Sequence, residues 1–106
     1  MDSNVAPVIL INEFTVKPEE VDQFLEIWAA AAAIMKRQPG FISTQLHRGI
    51  AGSCVFISVA VFESAQHFKH VFNNPELQST VEKYPASTTY APHLFNKVAV
   101  AGLCVE

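Results

Sequence analysis

The two side chains most able to do chemistry in this chain are His47 and Asn12, each of which lies in a strand-like segment. His47 can act as a general base, because the ordinary pKa of an imidazole lies close to physiological pH. Asn12 has apolar neighbours, and a buried amide without a hydrogen-bond partner costs about 1–3 kcal/mol. A histidine at a strand end is also often a solvated turn residue, and a buried asparagine can make a structural hydrogen bond. The sequence leaves both interpretations of each residue open.

The segment from Pro39 to Ser64 predicts two strands, joined by a short glycine-containing turn, around one possible pocket. Side chains in a strand alternate between its faces. The first strand is therefore expected to place on one side Phe41, Ser43, Gln45 and His47, and on the other Ile42, Thr44 and Leu46. The second is expected to place on one side Cys54, Phe56, Ser58, Ala60 and Phe62, and on the other Val55, Ile57, Val59 and Val61.

Apolar periodicity, prolines and glycines predict the remaining elements. They are a strand from Val8 to Val16, a helix from Pro18 to about Gln38, a short helix after the N-cap Ser64, a helical segment from Pro75 to about Lys83, a loop from Tyr84 to Pro92, and a last strand from Leu94 to Val105. The order βαββαβ is that of a ferredoxin-like α+β fold, in which helices cover one face of an antiparallel sheet.

Length, charge and hydropathy exclude several classes of function. The 106 residues form one expected domain, residues 1–106. A formal net charge of −3 gives no basic surface for nucleic acid. No apolar run is long enough to span a membrane, and the first residues lack the features of a signal peptide. A cytoplasmic protein that binds neither nucleic acid nor membrane is therefore expected.

No metal site is expected. Cys54 and Cys104 stand in separate apolar segments without the spacing of a zinc site or a redox pair, so buried thiols are favoured. His67 and His70 have a spacing that could ligate a metal and His93 follows later, but no carboxylate or cysteine is placed to complete the set.

The aliphatic face of the predicted sheet suggests a second copy of the chain. The residues expected on it are Ile9, Ile11, Ile42, Leu46, Val55, Ile57, Val59 and Val61. Monomers rarely expose so large an apolar patch, and the chain has no further element to cover it. We therefore expect a homodimer whose two sheets pack into a barrel.

The chain resembles the antibiotic biosynthesis monooxygenase domain of the dimeric α+β barrel superfamily. The resemblance covers Val8 to about Val100 and is densest at Pro39 to Ser43, at His47 and at Phe62 to Ser64. It implies a pocket between the helices and the sheet of each subunit. The family includes oxygenases of aromatic polyketide biosynthesis, quinol monooxygenases and haem-degrading enzymes. The resemblance to the first two groups implies oxidation of a phenolic substrate with dioxygen, without a metal or a flavin cofactor.

Pocket residues carry over from the family only in part. His47 matches a pocket histidine of the polyketide oxygenases that the chain resembles. Four other pocket residues of those enzymes differ: Ser58 replaces an asparagine, Phe62 a tryptophan and Phe68 a tyrosine, and an arginine falls near Val81. Relative to the haem-degrading members, Asn12 matches an asparagine. Their axial histidine has no equivalent between Pro75 and Lys83, which disfavours haem degradation.

The resemblance and the residues together predict a cofactor-independent monooxygenase that oxidises a quinol or another phenolic small molecule with dioxygen. His47 is the predicted base, and Asn12 and Ser58 are predicted to hold substrate oxygens. The predicted apolar walls are Trp28, Phe56, Phe62 and Phe68, with Tyr84 or Tyr90 closing the mouth. The alternative is a non-catalytic dimer that binds a small apolar molecule, or a stress-response member of the superfamily.

Overall fold

The computed structural model describes residues 6–104, which form a four-stranded antiparallel sheet with three helices. The elements are β1 (Val8–Thr15), a 3-10 turn (Pro18–Glu20), α1 (Val21–Lys36), β2 (Phe41–Arg48), β3 (Val55–Phe62), α2 (Ala65–Phe72), α3 (Pro75–Val81) and β4 (Thr89–Phe95). The strand order is β2-β3-β1-β4, with every neighbouring pair antiparallel. The predicted α+β ferredoxin-like fold is confirmed.

Local signals in the sequence fix where the helices begin and end. Pro18 opens the 3-10 turn that leads into α1. The hydroxyl of Ser64 accepts a hydrogen bond from the backbone N–H of His67 at 3.2 Å and so caps α2, as expected. After α1, Gly40 has a φ of +85°, and a side chain there would meet the ring of His67. Glycine is therefore required at this turn on both conformational and steric grounds.

The prediction of the last strand was wrong. The segment Thr89–Phe95, expected to be mostly loop, forms β4, and it pairs with β1 so that Tyr90 lies opposite Phe14 and Pro92 opposite Asn12. Pro92 is tolerated because β4 is an edge strand, in which a missing N–H breaks no ladder on the outer side. Beyond β4, an isolated bridge joins Val100 to Cys104, and Val105 lies outside the described residues.

A β-bulge in β2 changes which of its side chains face the helices. Phe41 lies opposite Phe62, whereas Ser43 lies opposite the next residue of β3, Val61. The extra residue, Ile42, shifts the alternation by one position. Phe41 therefore packs against the helical core, while His47 lies on the opposite face.

The bulge overturns the predicted faces of β2. Phe41 does not share a side with Ser43, Gln45 and His47. Leu46, expected on the aliphatic outer face, lies opposite Ser58 and packs in the core. The other aliphatic residues of β1 and β3 do share the outer face, as the pairs Ile9–Val61 and Ile11–Val59 show.

Two core clusters hold the helices against the inner face of the sheet. One joins α1, α2 and α3 to β1 and β3 through Leu10, Met35, Phe62, Val71, Leu77 and their neighbours. The other surrounds Phe24 of α1, which contacts Phe14 and Phe56 with ring centroids 5.0 Å away in each case. The candidate site lies between these clusters. No helix within residues 6–104 is long and apolar enough to cross a membrane.

Candidate active site

A cavity of about 250 Å³ lies between the inner face of the sheet and the three helices. Its lining is mostly apolar and consists of Leu10, Asn12, Phe14, Trp28, Ala31, Met35, Ser58, Ala60, Phe68, Phe72, Leu77, Val81, Tyr84, Tyr90 and Pro92. A concave, apolar space with a few polar groups is the usual form of a small-molecule site.

Small side chains at the centre of the sandwich leave this space open. Ala31 of α1 and Ala60 of β3 are both buried, at 4% and 1% exposure, and both line the cavity. A larger side chain at either position would extend into the space. Of the five consecutive alanines Ala29 to Ala33, Ala31 is the one that lines the cavity.

A polar pair lies on the sheet wall of the cavity. Asn12 of β1 is directly opposite Ser58 of β3, and both line the cavity. The side-chain oxygen of Asn12, Oδ1, is buried and has no hydrogen-bond partner. Since a buried polar atom without a partner is unfavourable, this oxygen marks a position where a ligand can supply a donor.

Trp28 connects α1 to the same wall. Its indole Nε1–H donates a hydrogen bond to the Oγ of Ser58 at 3.1 Å. The indole ring also lines the cavity, so Trp28 contributes both apolar surface and a fixed hydrogen bond. The sequence predicted only the apolar wall for Trp28, because no periodicity indicates that an indole N–H will reach a given hydroxyl.

Two tyrosines line the side of the cavity near β4. The ring of Tyr84 lies 5.5 Å from that of Phe14 and 5.4 Å from that of Phe24, while Tyr90 is 61% exposed. Burial raises the pKa of the Tyr84 hydroxyl above its ordinary value, so this hydroxyl stays protonated and can donate a hydrogen bond. The loop between the tyrosines is held by a hydrogen bond from Ser87 to Glu20.

Four of the seven predicted site residues line the cavity, namely Asn12, Trp28, Ser58 and Phe68. Phe56 and Phe62 do not line it. They are buried to 2% and 0% exposure, and Phe62 packs edge-on against Phe41 and Phe68. Both belong to the structural core.

His47 is not part of the cavity, which corrects the expectation that it shares one pocket with Asn12. It lies opposite Ile57 on the outer face of the sheet and is exposed. The cause is the bulge at Ile42, because an uninterrupted β2 would have placed His47 on the same side as Phe41. Within residues 6–104, no group of three or more His, Cys, Asp or Glu side chains could hold a metal ion.

Some lining residues were not predicted from the sequence. Leu10 and Phe14 alternate with Asn12 in β1, so their place on the same inner face follows from the strand period. Met35 and Leu77 come from two different helices, and their convergence depends on how α1 packs against α3. No local pattern carries that information.

Comparison with known proteins identifies the family. A family model described as antibiotic biosynthesis monooxygenase matches residues 7–83. The chain belongs to this family. The matched segment contains the wall formed by Asn12, Ser58 and Trp28, whereas Tyr90 and Pro92 of β4 lie beyond it. No curated protein matches the sequence.

Solved structures of similar proteins share the fold over nearly the whole chain. SnoaB from Streptomyces nogalater, a cofactor-independent oxygenase, superposes with a TM-score of 0.82 at 25% identity, covering 92% of this chain and 98% of its own. A proposed monooxygenase from Shewanella loihica gives 0.76 at 30% identity, covering 90% and 97%. A proposed antibiotic biosynthesis monooxygenase from Caulobacter crescentus gives 0.79 at 17% identity, covering 91% and 93%, which shows the fold alone.

The unpartnered oxygen of Asn12 predicts that this residue lowers stability in the empty protein. Replacing it with leucine, which has a similar volume, removes a buried polar group on a mostly apolar wall. We expect Asn12→Leu to raise the free energy of unfolding by about 1 kcal/mol, measured by urea denaturation.

Thr44→Val is the matched control. The Oγ1 of Thr44 is also buried without a partner on the inner face of the sheet, but Thr44 does not line the cavity. Its replacement should raise stability as well. A marked loss of stability in Asn12→Leu would show instead that Asn12 makes a structural hydrogen bond.

Proposed function

We propose that this protein is a cofactor-independent monooxygenase that oxidises a phenolic or quinolic small molecule with dioxygen in the cavity between sheet and helices. The observation that carries the proposal is the unpartnered oxygen of Asn12 opposite Ser58 in a mostly apolar cavity. Family membership supports the reaction class. The likeness to SnoaB, a cofactor-independent oxygenase, supports the absence of a cofactor.

The proposed reaction needs an ionisable substrate and a dry site. Loss of a proton makes the ring electron-rich, and one electron then passes from the ring to dioxygen. The radical and superoxide combine to form a carbon–oxygen bond, and the resulting peroxide anion takes up a proton from solvent to give a hydroperoxide. This species loses water and leaves a quinone, so one oxygen atom enters the product and the other leaves as water.

The residues of the cavity serve to bind and orient the substrate. The amide oxygen of Asn12 accepts a hydrogen bond from a substrate hydroxyl, and Ser58 and the protonated Tyr84 can donate to an oxygen on which negative charge develops. The surrounding hydrocarbon excludes water, which strengthens these hydrogen bonds. Positioned donors of this kind are a large contribution to catalysis in many enzymes.

The cavity lining supplies no imidazole and no carboxylate to act as a base. The predicted base, His47, lies on the outer face of the sheet and therefore takes no part in the proposed reaction. In the proposed reaction the proton instead leaves to solvent past Tyr90, which lines the cavity and is exposed. The reaction then depends on the acidity of the substrate itself.

Oxygen consumption tests this proposal directly. We expect metal-free, flavin-free protein to accelerate oxygen uptake by a panel of quinols and naphthols. The rate should rise with pH up to the pKa of each substrate and should follow that pKa from one substrate to the next. Ser58→Ala should lower the rate by roughly tenfold or more, as loss of an oxyanion donor commonly does.

His47→Ala is the control for the position of the base. Because His47 is outside the cavity, this variant should keep the full rate. A rate that vanishes in His47→Ala, or one that titrates with a fixed pKa near 6.5 for every substrate, would contradict the proposed proton transfer.

The absence of a base from the cavity lining favours one alternative, a non-catalytic protein that binds a small apolar molecule. Saturable binding of the same phenols without any oxygen uptake would support that alternative over the oxygenase. For both candidate functions, the oxygenase and the binding protein, a cytoplasmic location stays a prediction.

The outer face of the sheet supports a homodimer as part of the proposal. Its central rows consist of aliphatic pairs such as Ile9–Val61 and Ile11–Val59, and no helix covers them in residues 6–104. Hydrophobic faces of this kind are usually buried in an interface. Two copies that pack these faces together by a two-fold axis would bury both.

A charge at the centre of the outer face should prevent this assembly. We expect the protein to have twice its chain mass of 11.7 kDa in light scattering, and Val59→Lys to have the mass of one chain. Ala29→Lys, which adds the same charge to an exposed position of α1, should remain a dimer. A wild-type protein of single-chain mass at micromolar concentration would contradict the dimer.

A further inference from the structure

We infer that the ligand of the cavity is an uncharged bicyclic phenol whose oxygen accepts a hydrogen bond from Ser58, and that Trp28 is a positioning residue that keeps the Ser58 hydroxyl free to donate. The inference rests on the proposed function and narrows its substrate. Three independent features of the cavity carry it, namely its volume, the charges of its lining and its hydrogen bonds.

The volume of the cavity limits the number of rings. An apolar cavity of about 150 Å³ accommodates one benzene molecule. The cavity of about 250 Å³ exceeds that requirement by the space of roughly one more fused ring. The short side chains of Ala31 and Ala60 contribute to this volume, since both are buried and both line the cavity.

The lining excludes charged ligands. None of the fifteen residues around the cavity is Asp, Glu, Lys, Arg or His. A carboxylate or ammonium group would therefore lose its hydration without gaining an opposite charge, which is strongly unfavourable. A neutral phenol carries no such penalty and leaves its ring against the hydrocarbon walls.

The polar pair requires a ligand group that both accepts and donates. The indole Nε1–H of Trp28 can only donate, so the Oγ of Ser58 must be the acceptor in their hydrogen bond of 3.1 Å. The hydrogen of the Ser58 hydroxyl then remains to be donated, and residues 6–104 show no acceptor for it. Opposite Ser58, the side-chain oxygen of Asn12 accepts no hydrogen bond. A phenol oxygen between them accepts from Ser58, while its own hydrogen is donated to Asn12.

Trp28 therefore acts through Ser58. Without the indole N–H, the Ser58 hydroxyl can rotate and donate its hydrogen bond to another acceptor, for example the unpartnered oxygen of Asn12. The phenol would then lose a donor and an acceptor together. Removing either member of the Trp28–Ser58 pair should have nearly the same effect on phenol binding as removing both.

Calorimetric binding of 1-naphthol to four proteins tests the pair: the wild type, Ser58→Ala, Trp28→Phe and the double variant. Phenylalanine keeps an aromatic ring in the wall. Each single variant should bind 1-naphthol up to about tenfold more weakly, and the double variant should be no weaker than the single ones. Wild-type affinity in Trp28→Phe, additive losses in the double variant, or no binding to the wild type would overturn the inference.

Binding of 1-methylnaphthalene is the control for packing. It has the same ring system without an oxygen, so its affinity should differ by less than about twofold among the four proteins. Equal losses for both ligands would show that Trp28 only fills space. Trp28 is the only tryptophan of the chain, so the emission of Ser58→Ala should also shift if the hydrogen bond of the indole is lost.

Size and charge are tested with Ala60→Val and with a charged ligand. Valine at position 60 should weaken 1-naphthol binding at least tenfold and leave phenol within about twofold. The wild type should not bind 1-hydroxy-2-naphthoate. Unchanged naphthol binding in Ala60→Val, or binding of the naphthoate as tight as that of 1-naphthol, would overturn the inference.

These measurements separate the inference from the proposed function. The expected binding pattern without oxygen uptake would contradict the oxygenase alone and leave the ligand class standing. Oxygen uptake from quinols without the expected binding pattern would overturn the ligand class alone.

Discussion

The pairing register of β1 with β3 is the constraint on which the candidate site depends. It sets Asn12 opposite Ser58 on the inner face, between the apolar pairs Leu10–Ala60 and Phe14–Phe56. Because side chains alternate with a period of two, a slip of one residue would turn the polar pair to the outer face. The apolar neighbours on both sides prevent that slip, since they would lose their place in the core. The register that packs the core therefore also places the two polar groups in the cavity.

The cavity lowers the stability of the empty protein but provides space and a polar group for a ligand. An unfilled space bordered by alanines forgoes packing contacts, and a buried amide oxygen without a partner is unfavourable. A protein selected only for stability would gain from filling the space or replacing Asn12. The walls around it are well packed. Phe14, Phe24 and Tyr84 form an aromatic cluster at one end, and the core between the three helices and the sheet lies at the other. Ligand binding would supply both the missing contacts and the missing donor.

Much of the fold was predictable because its signals are local. The apolar spacing of α1, the N-cap Ser64 and the turn at Gly40 each act within a few residues, and the structure confirms all three. The position of His47 was not predictable from alternation, since the bulge at Ile42 depends on how β2 meets β3. β4 was misplaced for a similar reason. Pro85, Pro92 and the Ser-Thr-Thr run between them suggest a loop, and only the free edge of β1 makes Thr89–Phe95 a strand. Of the candidate site, the inner-face residues of β1 and β3 followed from the strand period, whereas the Trp28–Ser58 hydrogen bond required the packing of α1 on the sheet.

The proposed binding site for an uncharged bicyclic aromatic molecule is the space between the sheet and the helices. Trp28, the single tryptophan, lines that space and reports on it without interference from other indoles. The most direct test is a fluorescence titration with 1,4-naphthoquinone, a product of the proposed oxidation and a quencher of indole emission. Saturable quenching with one site per chain is the result predicted. Quenching that rises linearly with concentration, as it does for a free tryptophan derivative, would contradict the proposed binding site.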